Sequence, residues 1–210
     1  HADGGLTLEG AGYSVSRGYE LDIDGAWGVG WVAGVAYEIP DIALRVALTY
    51  FSEIENTFDA TESMDGVIVE QGGTTVISPE AWNLDFQTGI APDTLLMANI
   101  RHAAYADTIV SPDFFASTGA GSITEIENGT SYAIGIGRRF NDRFSGSVMI
   151  GYEPTQGDDL VSPLSPHNGQ YSLALGASYT LDNIVLSGGL RYVVLGDAFA
   201  ETGTPDEPRA

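Results

Sequence analysis

Alternation with a period of two runs through most of the chain. In "ALRVALTYFS" Leu44, Val46, Leu48 and Tyr50 share one face, while Ala43, Arg45, Ala47 and Thr49 share the other. "EAWNLDFQTGI" sets Trp82, Leu84, Phe86 and Ile90 against Asn83, Asp85, Gln87 and Gly89. "SYAIGIG", "QYSLALGASYT" and "NIVLSGGLRYVVL" repeat the pattern, with Ile, Leu, Val or Tyr on one face and Gly, Ala, Ser or Arg on the other. Helical periodicity is scarce. The alternation predicts strands at 5–15, 27–38, 43–52, 81–90, 94–106, 130–140, 143–153, 170–180 and 183–195.

The connections alternate as well. Tight turns carrying Pro, Asn or Asp fall at "IPDI" (39–42), "APD" (91–93), "FNDR" (140–143) and "LDN" (181–183). Between them lie long connections at 53–80, 107–129 and 154–169. A soluble sandwich buries its apolar face inward and has no need of such a rhythm. A transmembrane barrel turns its apolar side chains to lipid and its small or polar ones to the lumen, with short turns at one end and long loops at the other. Strands of about ten residues are long enough to cross a bilayer at a tilt. Aromatics gather near strand ends, at Tyr37, Phe140, Phe144 and Tyr179 by the short turns and Tyr50, Trp82, Tyr152 and Tyr171 by the long loops, as interfacial girdles do. The pattern therefore predicts an all-β, antiparallel transmembrane β-barrel of the outer-membrane type, with about nine spanning strands visible and residues 1–210 forming one barrel domain.

The stretch "APDTLLMANIRHAAYADTIV" (91–110) fits this arrangement. With Ile100 facing lipid, Asn99 and Arg101 fall in the lumen; the apolar run Leu95–Met97 reads as barrel base partly covered from inside. Composition narrows the picture further. The net charge of −21 excludes nucleic acid as a partner, since phosphate binding needs a basic surface. The chain has no cysteine, which suits an oxidising compartment.

Order and rhythm together carry a resemblance. "DGAWGVGWVAGVAYEIPDIALRVALTYFSEIENTFDAT" resembles the FadL/TodX family of outer-membrane transporters for hydrophobic compounds, through Gly30, Trp31 and Gly34 on one strand and Tyr50 and Ser52 ending the next. "ISPEAWNLDFQTGIAPDTLLMANIRHAAYADTIV" resembles the family's following Pro-initiated hairpin, and "YAIGIGRRFNDRFSGSVMIGYEPTQ" and "YSLALGASYTLDNIVLSGGLRYVVLGD" its later hairpins. The resemblance implies a fourteen-stranded barrel plugged by an N-terminal hatch. This chain would then be a C-terminal-half piece of it, without the hatch or the closing strand; a barrel closed by nine or ten strands is the other reading. It further implies passive import of long-chain fatty acids or aromatic hydrocarbons across the bacterial outer membrane, without a cofactor. The partners implied are a hydrophobic small molecule, outer-membrane lipid and lipopolysaccharide.

Lumenal cations are the sharpest site candidates. Alternation puts Arg45, Arg101 and Arg191 on the polar face of three strands, with Asn99 beside Arg101. A carboxylate entering an apolar lumen needs such a partner, because an unpaired charge there is costly; alternatively each arginine pairs with a lumenal acid such as Asp85 or Glu153. In the long connection 53–80, Phe58, Met64, Val67, Ile68 and Val69 could line an outer groove for an apolar ligand. Acids crowd the same end: 53–80 holds seven acids and no base, Asp107, Asp113, Glu125 and Glu127 follow in the next loop, and Asp158 and Asp159 in the last. They read as a solvated surface or a gatherer of divalent cations, and "GDD" lacks the spacing of a calcium loop. No Gly-x-Ser-x-Gly elbow or HExxH accompanies His102 or His167, so no enzyme is predicted. A structural or adhesive barrel, whose acidic loops bind a surface partner, is the rival from another class.

Overall fold

The structure, a computed structural model, describes residues 2–8, 17–119, 122–124, 126–155, 160–161 and 167–200. Its strands are β1 (Ala2–Leu8), β2 (Tyr19–Ala26), β3 (Val32–Ile39), β4 (Leu44–Phe51), β5 (Ile54–Met64), β6 (Val67–Ser78), β7 (Ala81–Ala91), β8 (Thr94–Ala103), β9 (Gly129–Arg139), β10 (Phe144–Glu153), β11 (Leu160–Val161), β12 (Gln170–Leu181), β13 (Ile184–Leu195) and β14 (Phe199–Ala200). A single short α-helix among the described residues, α1 (Asp113–Ser117), lies between β8 and β9.

Eight strands form one sheet in the order β13-β12-β10-β9-β8-β7-β4-β3, and β1-β2-β5-β6 form a second. Every neighbouring pair in both is antiparallel. The larger sheet is an unclosed wall of the antiparallel outer-membrane-barrel type, with β3 and β13 at its edges. It contains eight of the expected spanning strands rather than nine. The strand expected at 5–15 is the exception: β1 ends at Leu8 and joins the second sheet, and 9–16 lie outside the described residues. The strand expected at 27–38 begins at Val32, and residues 27–31 connect it to β2, which ends at Ala26 and pairs with β5.

The largest correction concerns 53–80, which is not a loop. It is the β5–β6 hairpin, turning at Asp65 and Gly66, whose φ values of 51° and 77° lie in the left-handed region that an Asp-Gly pair tolerates. With β1 and β2 it makes a sheet beyond the long-connection end of the wall. The sheet's core is Tyr19, Leu21 and Ala60 with Phe115 from α1, flanked by Ile23, Met64, Val110, Phe114 and Ile123. Glu125, Asp158, Asp159 and residues 201–210 lie outside the described residues.

The short turns follow the sequence closely. Pro40–Ile42 forms a 3-10 turn closed by Ala43 N–H donating to the Pro40 carbonyl at 3.0 Å, and Asp93 and Asp182 turn the next hairpins at φ 57° and 44°. Register then aligns like with like. Val35, Leu48, Leu84, Ile100, Tyr132, Tyr152, Tyr171 and Val194 are successive partners across all eight strands. Tyr37, Val46, Phe86, Ala98, Ile134, Ile150, Leu173 and Tyr192 form a second such row. These rows share the outward face, and most of their large side chains are exposed, Ile134 to 54% and Ile150 to 57%. Rings pair at both borders of the band: Trp31–Tyr50, Tyr50–Trp82 and Tyr152–Tyr171 with centroids 5.0, 4.5 and 5.0 Å apart at the loop end, and Phe140–Phe144 at 5.4 Å at the turn end.

Candidate functional site

The opposite face of the wall is small and polar, and its rows are as regular. Ala47, Asp85, Asn99, Ala133, Gly151 and Ser172 are successive register partners, as are Arg45, Gln87, Met97, Gly135, Met149, Ala174 and Arg191 one step nearer the turns. Small residues here let neighbouring backbones approach. A Cβ on Gly135 would stand 2.6 Å from the Val148 carbonyl oxygen, too close for any side chain.

Two concavities open on this face. The upper, about 400 Å³, is bounded by Asn99, Ser131, Met149, Glu153, Ser172 and Arg191. The lower, about 1060 Å³, lies toward the short turns among Leu95, Met97, Gly137, Ser147, Gly176 and Ser187. Leu95 and Met97 thus face inward while Leu96 pairs with Ile136 on the outward face, which resolves the mixed apolar run of β8.

Each candidate cation has its own partner. Arg45 Nε lies 3.0 Å from Glu38 Oε1. Arg101 Nη1 donates to Asn83 Oδ1 at 2.8 Å, with its guanidinium carbon 5.5 Å from the centre of the Phe51 ring. Arg191 Nη2 donates to Ser172 Oγ at 3.2 Å and has no carboxylate partner among the described residues. Asn99 Nδ2 donates to Asp85 Oδ1 at 2.7 Å, so that amide holds an acid rather than standing beside Arg101 as a second spare donor. Glu153 accepts from Gln170 Nε2 at 2.8 Å and has His167 Nε2 at 3.9 Å. The acids offered in advance as partners, Asp85 and Glu153, are therefore engaged by amides and a histidine. The structure brings Asn99 and Arg191 to one concavity, and neither Arg45 nor Arg101 lines it.

The five apolar candidates of 53–80 separate, with Val67, Ile68 and Val69 all exposed. Phe58 is buried to 5% exposure within the second sheet, and Met64 packs on that sheet's core. Ile68 is exposed beside Val67, just past the Asp65–Gly66 turn. His102 sits on the outward face, its Nδ1 2.8 Å from Thr130 Oγ1.

Sequence reasoning missed Glu62 altogether. It is 2% exposed, yet Tyr19 Oη and the backbone N–H groups of Phe114 and Phe115 all donate to its carboxylate at 2.8 Å. The carboxylate thereby caps the start of α1 and docks the connection after β8 onto the outer sheet. Burial, then the hydrogen bond to Glu62, then that carboxylate's charge, all push the Tyr19 hydroxyl well above the ordinary tyrosine range.

No protein-family model matches the chain, and no curated protein matches it in sequence. Solved structures do match it in fold. A Pseudomonas aeruginosa FadL homologue aligns with a TM-score of 0.63 at 15% identity, over 83% of this chain and 45% of that one. The monoaromatic hydrocarbon channel CymD aligns at 0.51 and 14% identity, over 83% and 51% of the two chains. The Pseudomonas putida toluene transporter TodX aligns at 0.52 and 15% identity, over 86% and 49%. The chain has the FadL/TodX type of barrel wall, and it spans about half the length of the structures it matches.

Proposed function

We propose that this chain forms wall and outer mouth of a bacterial outer-membrane channel that admits hydrophobic small molecules passively, of the class of long-chain fatty acids or aromatic hydrocarbons. The observation that carries the reading is the pair of outward rows, large and apolar across eight strands, set against an inward face of Gly, Ala, Ser and isolated polar groups. Only lipid makes an exposed apolar surface of that extent stable on one side while water or ligand meets the other. Neighbours in fold that are described as a hydrocarbon channel and a toluene transporter support the ligand class.

In this reading the ligand lands near the exposed Val67 and Ile68 of the hairpin tip and descends the inward face past the two concavities. Phe58 and Met64 shape the sheet that holds the tip rather than touching the ligand. A carboxylated ligand meets Asn99, Arg101 and Arg191 on the way, with Arg45 nearer the turns. Arg101 is the head-group contact we assign first: its partners are a neutral amide and a ring, and like Arg191 it has no carboxylate partner among the described residues. Calorimetry on the protein in detergent tests this. Arg101→Ala should weaken binding of a fatty acid by about 1.5–3 kcal/mol while leaving the matching alkane unchanged. An equal loss for both would show that Arg101 holds the wall together and does not read a head group. If neither ligand binds the unaltered protein, the channel reading itself fails.

A further inference from the structure

Half of the chain's basic residues gather at the short-turn end of the wall, beside Glu38, Asp41, Asp93, Asp142 and Asp182. The segment 53–80, at the long-connection end, holds seven acids and no base, whereas Arg45, Arg138, Arg139 and Arg143 at the short-turn end are four of the chain's eight basic residues. Two of these four are committed: Arg45 to Glu38, and Arg139, whose Nε donates to Asp93 Oδ1 at 2.9 Å. Arg138 and Arg143 are exposed, and neither guanidinium has a hydrogen bond or ion pair with any described residue.

The position of Arg138 supplies the chemistry. It follows Tyr132, Ile134 and Ile136 on the outward face of β9, one step beyond the apolar band. Its register partner is Gly146, over which the Phe140 ring lies, with Cε2 3.2 Å from where a Cβ would stand. Phe140 stacks on Phe144, and Phe144 faces Tyr179 across the next pair. An aromatic border marks the depth where hydrocarbon gives way to head groups, and a guanidinium there meets phosphate oxygens with the forked geometry it binds best. We propose that Arg138, assisted by Arg143 in the adjoining turn, is a binding site for the phosphodiester of an anionic phospholipid in the leaflet at the short-turn end. The acyl chain would lie along the row Ile136, Val148, Leu175 and Leu190. The proposal rests on the membrane-spanning reading.

Electron paramagnetic resonance on the protein in phosphatidylcholine bilayers, doped with spin-labelled phosphatidylglycerol, tests it. The unaltered protein should hold a motionally restricted lipid fraction and prefer phosphatidylglycerol. Arg138→Gln and Arg143→Gln should each lower that preference by up to about five-fold, the worth of one charge at the surface. Arg138→Lys should keep most of it, and Arg17→Gln, at the opposite end, all of it. Unchanged preference in the double variant overturns the site. So does displacement of the lipid by inorganic phosphate, which would make it a free-anion site. No restricted lipid with any variant overturns the membrane reading and this one with it, a result distinct from loss of preference alone.

Discussion

Glu62 shows how one side chain can fix a connection that carries no regular structure of its own. A carboxylate buried to 2% exposure is tolerated because three donors converge on it, two of them amides at the start of α1. Glu62→Ala should orphan those donors at a cost of about 1–3 kcal/mol for each one left buried. Hydrogen exchange is the measurement: the Phe114 and Phe115 amides should lose protection while amides of β9 and β10 keep theirs. Tyr19 adds a pH dependence with a definite sign. Its folded-state value is raised, so its contribution is complete below the unfolded tyrosine value, about 10, and is lost as pH rises beyond it. Thermal melting of the outer sheet should therefore fall above that pH, and Tyr19→Phe should flatten the fall. A melting curve for Tyr19→Phe that falls just as steeply would refute this. None of this was legible beforehand, because an acid in an acid-rich stretch reads as surface, and only the fold reveals that the Phe114–Phe115 amides arrive beside it.

The elements divide by how evenly their pattern is written. β12 alternates without a fault, inward residues half-buried and outward ones exposed, and the sequence located it to within a residue. The hairpin 53–80 was missed although "DG" lies at its centre, the strongest short-range sign of such a turn. Two features hid it. Glu62 interrupts the apolar face Phe58, Ala60, Met64, and a register shift between Glu62 and Ser63 breaks the period. Replacing Gly66 by Val forces a β-branched residue to φ 77° and should cost about 1–2 kcal/mol in hairpin stability. In the wall, arginine at Leu48, Ile134 or Leu175 should cost about 2–4 kcal/mol if these face mid-bilayer. Arginine at Ala133 or Ala174, which border the upper concavity, should cost clearly less. Refolding equilibria in lipid vesicles give both numbers, and equal costs on the two faces would point to a wall buried on both.

At the scale of the whole molecule, the local alternation becomes a wall because register carries apolar residues into rows across eight strands, and the same register collects small and polar residues behind them. That much, including the unequal connections, was readable as pattern, and the fold agrees with the family the pattern resembles. The outer sheet was not readable, since it forms only when β2, already paired with β1, pairs with β5 far along the chain. The candidate cations fell on the inward face as alternation placed them, but their polar partners lie on the adjacent strand, so finding them required the strand order and register. The central claim is that short turns and outer sheet lie on opposite sides of a membrane. Two-sided labelling of single cysteines tests it most directly, on a chain that has none of its own. Cysteines at Asp41, Asp93 and Asn141 should react with a membrane-impermeant maleimide only from the periplasm, and cysteines at Thr61 and Ser117 only from outside the cell. Reaction of both sets from one side would contradict the account.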